Sequence, residues 1–236
     1  MQTNRKRSIR NLAVAIWKGW GISLLAAIVI ATSFKSAVAD WNIVPTGSMK
    51  PTIVEGDRIF INKLAWDLKL PYTTFHIAKW ADPGHGDIAV FFSPADGKRL
   101  VKRVVGVPGD VIEMQQNVIT INAKPLTYSL AQPETLAVKK TDIPKSSLCY
   151  TEHLKHCDHP VMISPFVAAR RSFGPVVIPE GKYFMLGDNR DNSADSRFFG
   201  LVDRKRIVGQ AIGVVASLDI HDRYLPRWNR FFSSLP

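Results

Sequence analysis

The chain has 236 residues, 46% of them apolar and 10% aromatic, a composition that can bury a core and excludes a disordered chain. Lys and Arg number 31 against 20 Asp and Glu, a formal charge of +11, which suits nucleic acid, anionic lipid or orientation in a membrane until the charge is located. Arg5, Lys6, Arg7 and Arg10 stand directly before an apolar stretch over residues 12–34, so the charge reads first as a topology signal, and nucleic acid is not expected as a partner.

In chain order, residues 1–11 are expected to be a basic cytoplasmic segment and residues 12–34 a transmembrane helix, long enough to cross the hydrocarbon core. Lys18 interrupts the span but lies near its basic end, where its stem can run along the helix and its ammonium can reach the headgroups; Trp17 and Trp20 suit the same interface. Basic residues stay inside, so everything after about residue 36 is expected on the extracytoplasmic face of an inner (plasma) membrane, behind a single pass. Ala37, Val38 and Ala39 also look like a cleavage site for secretory processing; Lys35 just upstream and the length of the span favour an uncleaved anchor.

Beyond the anchor, short β-branched runs at 58–62, 87–92, 100–105, 111–114, 118–122, 183–186 and 207–216 predict an all-β core. Turn signals at Pro83-Gly84, Asp96-Gly97, Pro108-Gly109 and Glu180-Gly181 separate them. The pattern loosens over residues 123–177, read as an inserted subdomain between core segments 35–122 and 178–236. Cys149 and Cys157, in an oxidising compartment, are expected to form a local disulfide. Their crowding with His153, His156 and His159 is not the spacing of a standard zinc site, so exposed histidines are expected and no metal.

Three motifs carry chemistry. Residues 45–52, Pro-Thr-Gly-Ser-Met-Lys-Pro-Thr, set an exposed hydroxyl, Ser48, in proline-bounded backbone, with the Ser48 amide and the Thr46 hydroxyl as two donors for an oxyanion. Gly is absent at 46 and 50, which excludes the nucleophile elbow of the α/β hydrolases. Residues 100–110 place Lys102 and Arg103 inside an apolar strand; a buried Lys102 can lose its proton near neutrality and serve as a base, while Lys50 competes for that role. Residues 187–197 pack Asp, Arg, Asn and Ser into one loop that departs from a calcium-binding template at positions 3, 6 and 12 and reads instead as a scaffold of ion pairs. His85 offers a Ser-His-Asp alternative.

These ordered stretches resemble the conserved boxes of the bacterial signal peptidase I family. The resemblance implies a membrane-anchored serine endopeptidase with Ser48 as nucleophile, Lys102 as general base, Ser193 orienting Lys102, and Thr46 with the Ser48 amide as oxyanion hole. It implies that Arg103, Asp188, Asp195 and Arg197 brace the site through charge pairs. The implied substrate is the signal peptide of an exported preprotein, bound as an extended strand and cut after an Ala-x-Ala pattern, with no cofactor or metal. Membrane lipid is the other expected partner, and a monomer is the working expectation. Rival readings are a conjugative-transfer pilin-processing peptidase of the same fold and a non-enzymatic cationic membrane-tethered binding module. The basic and aromatic C-terminal residues Arg223, Tyr224, Arg227, Trp228, Arg230, Phe231 and Phe232 fit either a bilayer surface or a packed tail.

Overall fold

An apolar helix that the other described residues leave largely exposed leads into the chain. The computed structural model describes residues 17–73, 75–131, 136, 138, 143–155 and 157–236, without the side chains of Lys18 and Phe34. The basic segment 1–11, the apolar residues 12–16 and His156 lie outside them. A π-helical turn over Trp17–Gly21 runs into α1, Ile22–Ala37. The 19 residues Gly19–Ala37 are long and apolar enough to cross a membrane, and Leu24, Ile28 and Ile30 are exposed. A helix that is hydrophobic all round and uncovered by protein needs apolar surroundings of another kind. The last-turn carbonyls of α1 lack helical partners, and two of them, on Lys35 and Ser36, accept from Lys63 Nζ at 3.1 and 3.0 Å.

The rest is mainly β. β1 (Ala39–Ile43) pairs antiparallel with β2 (Asp57–Asn62), and β3 (Asp67–Lys69) with β4 (His76–Lys79) forms a separate hairpin. β5 (Ile88–Phe92), β6 (Arg99–Gly106), β14 (Lys182–Leu186), β15 (Val202–Asp203) and β16 (Ile207–Asp219) complete a large sheet in the order β1-β2-β16-β5-β6-β14-β15. The 13-residue β16 is its spine. Register shifts between Ile207 and Gly209 and again near Gly213 bend β16 so that it can serve β5 on one side and β2 on the other. At Gly209 a Cβ would lie 2.6 Å from the Asn62 carbonyl oxygen, so this close crossing of backbones needs glycine.

β7 (Val111–Gln115), β8 (Val118–Ile121), β9 (Lys124–Pro125) and β13 (Phe173–Val177) form a second sheet. It closes over Val105, Ile112, Met114, Ile119, Phe184 and Leu186. β10 (Thr127–Leu130), β11 (Leu148–Leu154) and β12 (Cys157–Ile163) make a third. Within residues 123–177, β9 and β13 therefore pair with core strands β8 and β7, while β10 to β12 form a ladder of their own, joined to the loop at 188–190 by a bridge between Met162 and Asn189.

The expected disulfide is a correction. In the β11–β12 hairpin Cys157 pairs with Leu154, beside the turn, whereas Cys149 pairs with Met162. Five rungs at about 3.4 Å each put the two Cα atoms roughly 17 Å apart along the ladder, where a bridge needs less than about 7 Å. Both are free thiols. Nor are all the histidines exposed: His159 is fully buried.

The tail also packs. Arg230 is 2% exposed and grips both carboxylate oxygens of Asp57, while Arg227 donates to the carbonyls of Glu55 and Leu218. Tyr224, Trp228 and Phe232 stay exposed. Arg230→Ala is expected to cost about 3–5 kcal/mol, because it strands a buried carboxylate; a urea melt that moves by less than 1 kcal/mol would contradict the packing role. Thiol titration of the unfolded, unreduced protein is expected to count both cysteines as free.

Candidate active site

Met49 and Ile53, four residues apart in a tight turn closed by Ile53 N donating to the Met49 carbonyl at 2.9 Å, are both fully buried in the core beside β2 and β5. Their burial pins the turn, and Ser48, the residue before Met49, is left half-buried at the mouth of a groove. Asn189 clamps it from the other side: its side-chain amide donates to the Gly47 carbonyl at 3.0 Å and its backbone N–H to the Ser48 carbonyl at 3.1 Å.

Lys102 reaches the same point from β6. Leu186 of β14 pairs with Arg103 and is the last rung of that ladder. One residue on, at Lys102, β6 keeps β5 on one side but has lost β14 on the other, and Ser48 comes within hydrogen-bond distance of the Lys102 side chain. The Lys102 ammonium nitrogen lies 2.6 Å from Ser48 Oγ and 3.0 Å from the Val101 carbonyl oxygen, with Lys102 only 3% exposed. Burial pushes the Lys102 amine down to about 8, against the pull of Asp195 and Asp188. The rival base Lys50 is drawn to Glu55 at 2.7 Å, so Ser48 is left to Lys102.

Gly187 begins the bracing loop at a place where a side chain does not fit. A Cβ there would sit 2.5 Å from the Ser48 carbonyl oxygen and 2.3 Å from Ser193 Oγ. Ser193 is buried against Gly187, as the Ser48 carbonyl is, and its hydroxyl has no hydrogen-bond partner among the described residues. Thr46 is exposed and lines the groove with Ser48.

Both charge pairs close. Arg103 Nε and Nη2 donate to the two oxygens of Asp188 at 2.9 and 2.8 Å, and Nη1 donates to the Gly86 carbonyl at 2.7 Å. Burial alone would raise the Asp188 carboxyl, but Arg103 outweighs it and holds the group below its ordinary value. Arg197 Nε and Nη2 donate to Asp195 at 2.8 and 2.7 Å, and Asp195 in turn caps α2 (Ser196–Phe199) and accepts from Gly187 N.

Other residues of the site carried no signal, or only part of one, in the sequence. Thr52, the last residue of the first motif, donates to Asp188 at 2.5 Å. Glu152 on β11 is fully buried against Arg190, at 2.7 and 2.8 Å, and accepts from the Tyr128 hydroxyl; burial would raise its carboxyl, but Arg190 holds it far below the usual range. His159 of β12 lies 3.3 Å from Glu152 and 3.9 Å from Asp188. His85 does not meet Ser48: it pairs with Asp110 at 2.6 Å, and Asp110 also accepts from Val107 N and Asn122, so this histidine closes the β6–β7 turn and the Ser-His-Asp alternative is not assembled.

The groove has a volume of about 420 Å³. Ile43, Val44, Ile59, Val90, Leu100 and Val101 give it apolar walls, with Ser48 and Lys102 also lining it. It runs beside β1, the edge of the large sheet, whose free backbone groups can accept an added strand. The arrangement supplies a hydroxyl, an amine that gives up its proton at about pH 8, and an apolar channel for extended peptide.

Comparison with known proteins gives a consistent picture. The peptidase S26 signal peptidase family model matches residues 17–216. A signal peptidase I of Pseudomonas fluorescens is 34% identical over 209 residues, covering 83% of this chain and 71% of that protein. One of Bacillus amyloliquefaciens is 30% identical over 205 residues, 86% of this chain and 87% of its own. A crystal structure of a signal peptidase I from Enterococcus faecalis V583 is 32% identical and covers 55% of this chain and 96% of its own, with a TM-score of 0.34.

Asp188→Ala is expected to destabilise the fold by about 3–5 kcal/mol, since it leaves the Arg103 guanidinium buried and unpaired. Chemical denaturation measures this; a loss near that of an exposed ion pair, under about 1 kcal/mol, would contradict it.

Proposed function

Since this chain belongs to the peptidase S26 family of signal peptidases, and is a serine endopeptidase that removes signal peptides, we propose that Ser48 is its nucleophile and Lys102 its general base. Family membership displaces the binding-module reading. The observation that carries the dyad is the 2.6 Å contact between Ser48 Oγ and a Lys102 that is almost wholly buried.

The neutral Lys102 amine accepts the Ser48 proton as Oγ attacks the scissile carbonyl. The Ser48 amide and Thr46 hydroxyl donate to the oxyanion as it forms. The resulting ammonium returns its proton to the leaving amine, and the acyl-enzyme is then cleared by water, with Lys102 again as base. The amine's preference for its neutral form, set by burial, is worth roughly 3 kcal/mol for a displacement from 10.5 to about 8. Ser193 supplies a buried hydroxyl with no hydrogen-bond partner among the described residues, suited to orient Lys102 as its charge changes. Asp188, Arg103, Asp195 and Arg197 hold the backbone around these groups and do not touch substrate.

The substrate is a preprotein segment laid as a strand in the apolar groove, cut after small residues of Ala-x-Ala type. The N-terminus lies in the cytoplasm, residues 12–34 are the single-pass anchor, whose described part runs into the apolar helix Gly19–Ala37, and the β domain stands on the extracytoplasmic face as a monomer.

Ser48→Ala and Lys102→Ala are each expected to lower preprotein cleavage in detergent by about three orders of magnitude or more while leaving the melting curve intact. Lys102→Arg is not expected to rescue, because a guanidinium stays charged. As neutral Lys102 is the active form, kcat/KM should rise with pH through about 8 and fall on acidification. A profile set by a group near 6.5 and abolished by His85→Ala would transfer the base to histidine.

A further inference from the structure

A second cavity, of about 520 Å³, opens where α1 ends. Ser36 and Ala37 of α1 and Tyr72 and Thr73 of the β3–β4 turn form part of its wall. Five cations from four segments of the chain, Lys63, Lys69, Arg99, Lys205 and Arg206, also line it, with Phe92, Ile207 and Val208 as its apolar part. No carboxylate lines it. Those nearby are already shared: Asp40 among Lys35, Lys63 and Arg99, Asp67 among Lys69, His76 and Arg204, and Asp203 between Lys182 and Arg206. Lys205 has no ion-pair partner among the described residues, and Arg99 engages Asp40 and Asn42 through Nη1 alone. The cavity is thus a concentration of positive charge that the protein leaves under-compensated. Consistent with this, burial lowers the Lys63 and Lys69 amines, Asp40 and Asp67 pull them back up, and neighbouring cations lower them further.

Its depth is set by the hairpin. The Tyr72 N–H donates to Ser36 Oγ at 2.7 Å, and the Tyr72 hydroxyl donates to Thr32 Oγ1 at 2.5 Å. The β3–β4 hairpin is therefore tied to the last turns of the apolar helix. There it exposes Leu70, Tyr72, Phe75 and Ile77, side chains suited to the boundary between acyl chains and headgroups. A basic cavity beside that boundary lies in the headgroup layer, where each Lys or Arg attracts anionic lipid.

We propose that this cavity binds the phosphodiester headgroup of an anionic phospholipid from the leaflet that faces the β domain. The proposal rests on the reading of residues 12–34 as the membrane anchor. The shared chemistry is a phosphate with an anionic charge, and the hydrophobic hairpin beside the cavity favours a lipid over a free ion. Arg99 borders both this cavity and the Ser48 groove, so a bound headgroup touches the first residue of the strand that carries Lys102.

The test is thermal unfolding of the full chain in uncharged detergent, titrated with dioctanoyl phosphatidylglycerol, dioctanoyl phosphatidylcholine or inorganic phosphate. Phosphatidylglycerol is expected to raise the midpoint saturably, and the other two are not, at equal concentration. The Lys205→Ser, Arg206→Ser double variant should lose the rise, whereas Lys124→Ser, on the second sheet, should keep it. Should the double variant unfold, the exposed Lys205→Glu alone is expected to weaken apparent affinity at least threefold. An equal rise with phosphate would overturn the lipid, and a rise that persists in the Lys205 variants would overturn the site. Carbonate extraction of membranes tests the anchor, and preprotein cleavage by the same samples tests the dyad; either can fail or stand independently of the lipid result.

Discussion

Arg103 and Asp188 are each wholly buried and meet through two parallel charge-assisted hydrogen bonds of 2.9 and 2.8 Å. Neither charge could remain in the interior alone. Arg103 is one residue from Lys102, and Asp188 lies between Gly187, which packs on Ser48, and Asn189, which clamps Ser48. The pair therefore fastens the strand that carries Lys102 to the loop that holds Ser48. Thr52, from the Ser48 turn itself, donates to the same carboxylate, so three segments far apart in sequence converge on one anion.

This bracing permits the opposite treatment of the neighbouring cation. Arg103 has a carboxylate partner; Lys102 is almost as buried but, among the described residues, has only a hydroxyl and a backbone carbonyl within hydrogen-bond reach. Asp188 and Asp195 act on it at longer range and do not cancel the cost of burial. Adjacent residues on one strand thus end as a permanently charged structural element and an amine that is readily neutral. Their divergence depends on the strand edge created where β14 stops at Leu186.

The β10–β12 sheet extends the bracing outward. Glu152 and His159 come from it, yet both lie against the loop at 188–190, and Met162 exchanges backbone hydrogen bonds with Asp188 and Arg190. The bracing loop is thus held from behind by this sheet.

The amino-acid sequence by itself determined the apolar helix, the seven β runs and the three motifs, because each is a local pattern: a long uncharged run, β-branched segments between turn residues, and reactive side chains in short ordered boxes. It also marked Ser48, Lys102, Arg103, Asp188, Asp195 and Arg197, whose chemical types are conspicuous where they stand. Only the tertiary structure decided the partners. Lys102 and Ser48 are separated by 54 positions, and their contact depends on where β14 ends. Glu152 and His159 look like surface residues until the β10–β12 sheet packs on the loop at 188–190. The cysteines, a short interval apart in sequence, are parted by the register of a hairpin. Likewise the cations around the cavity at the end of α1 come from distant segments, so their convergence follows from sheet order and from the tie between Tyr72 and the helix, neither of which any local pattern contains.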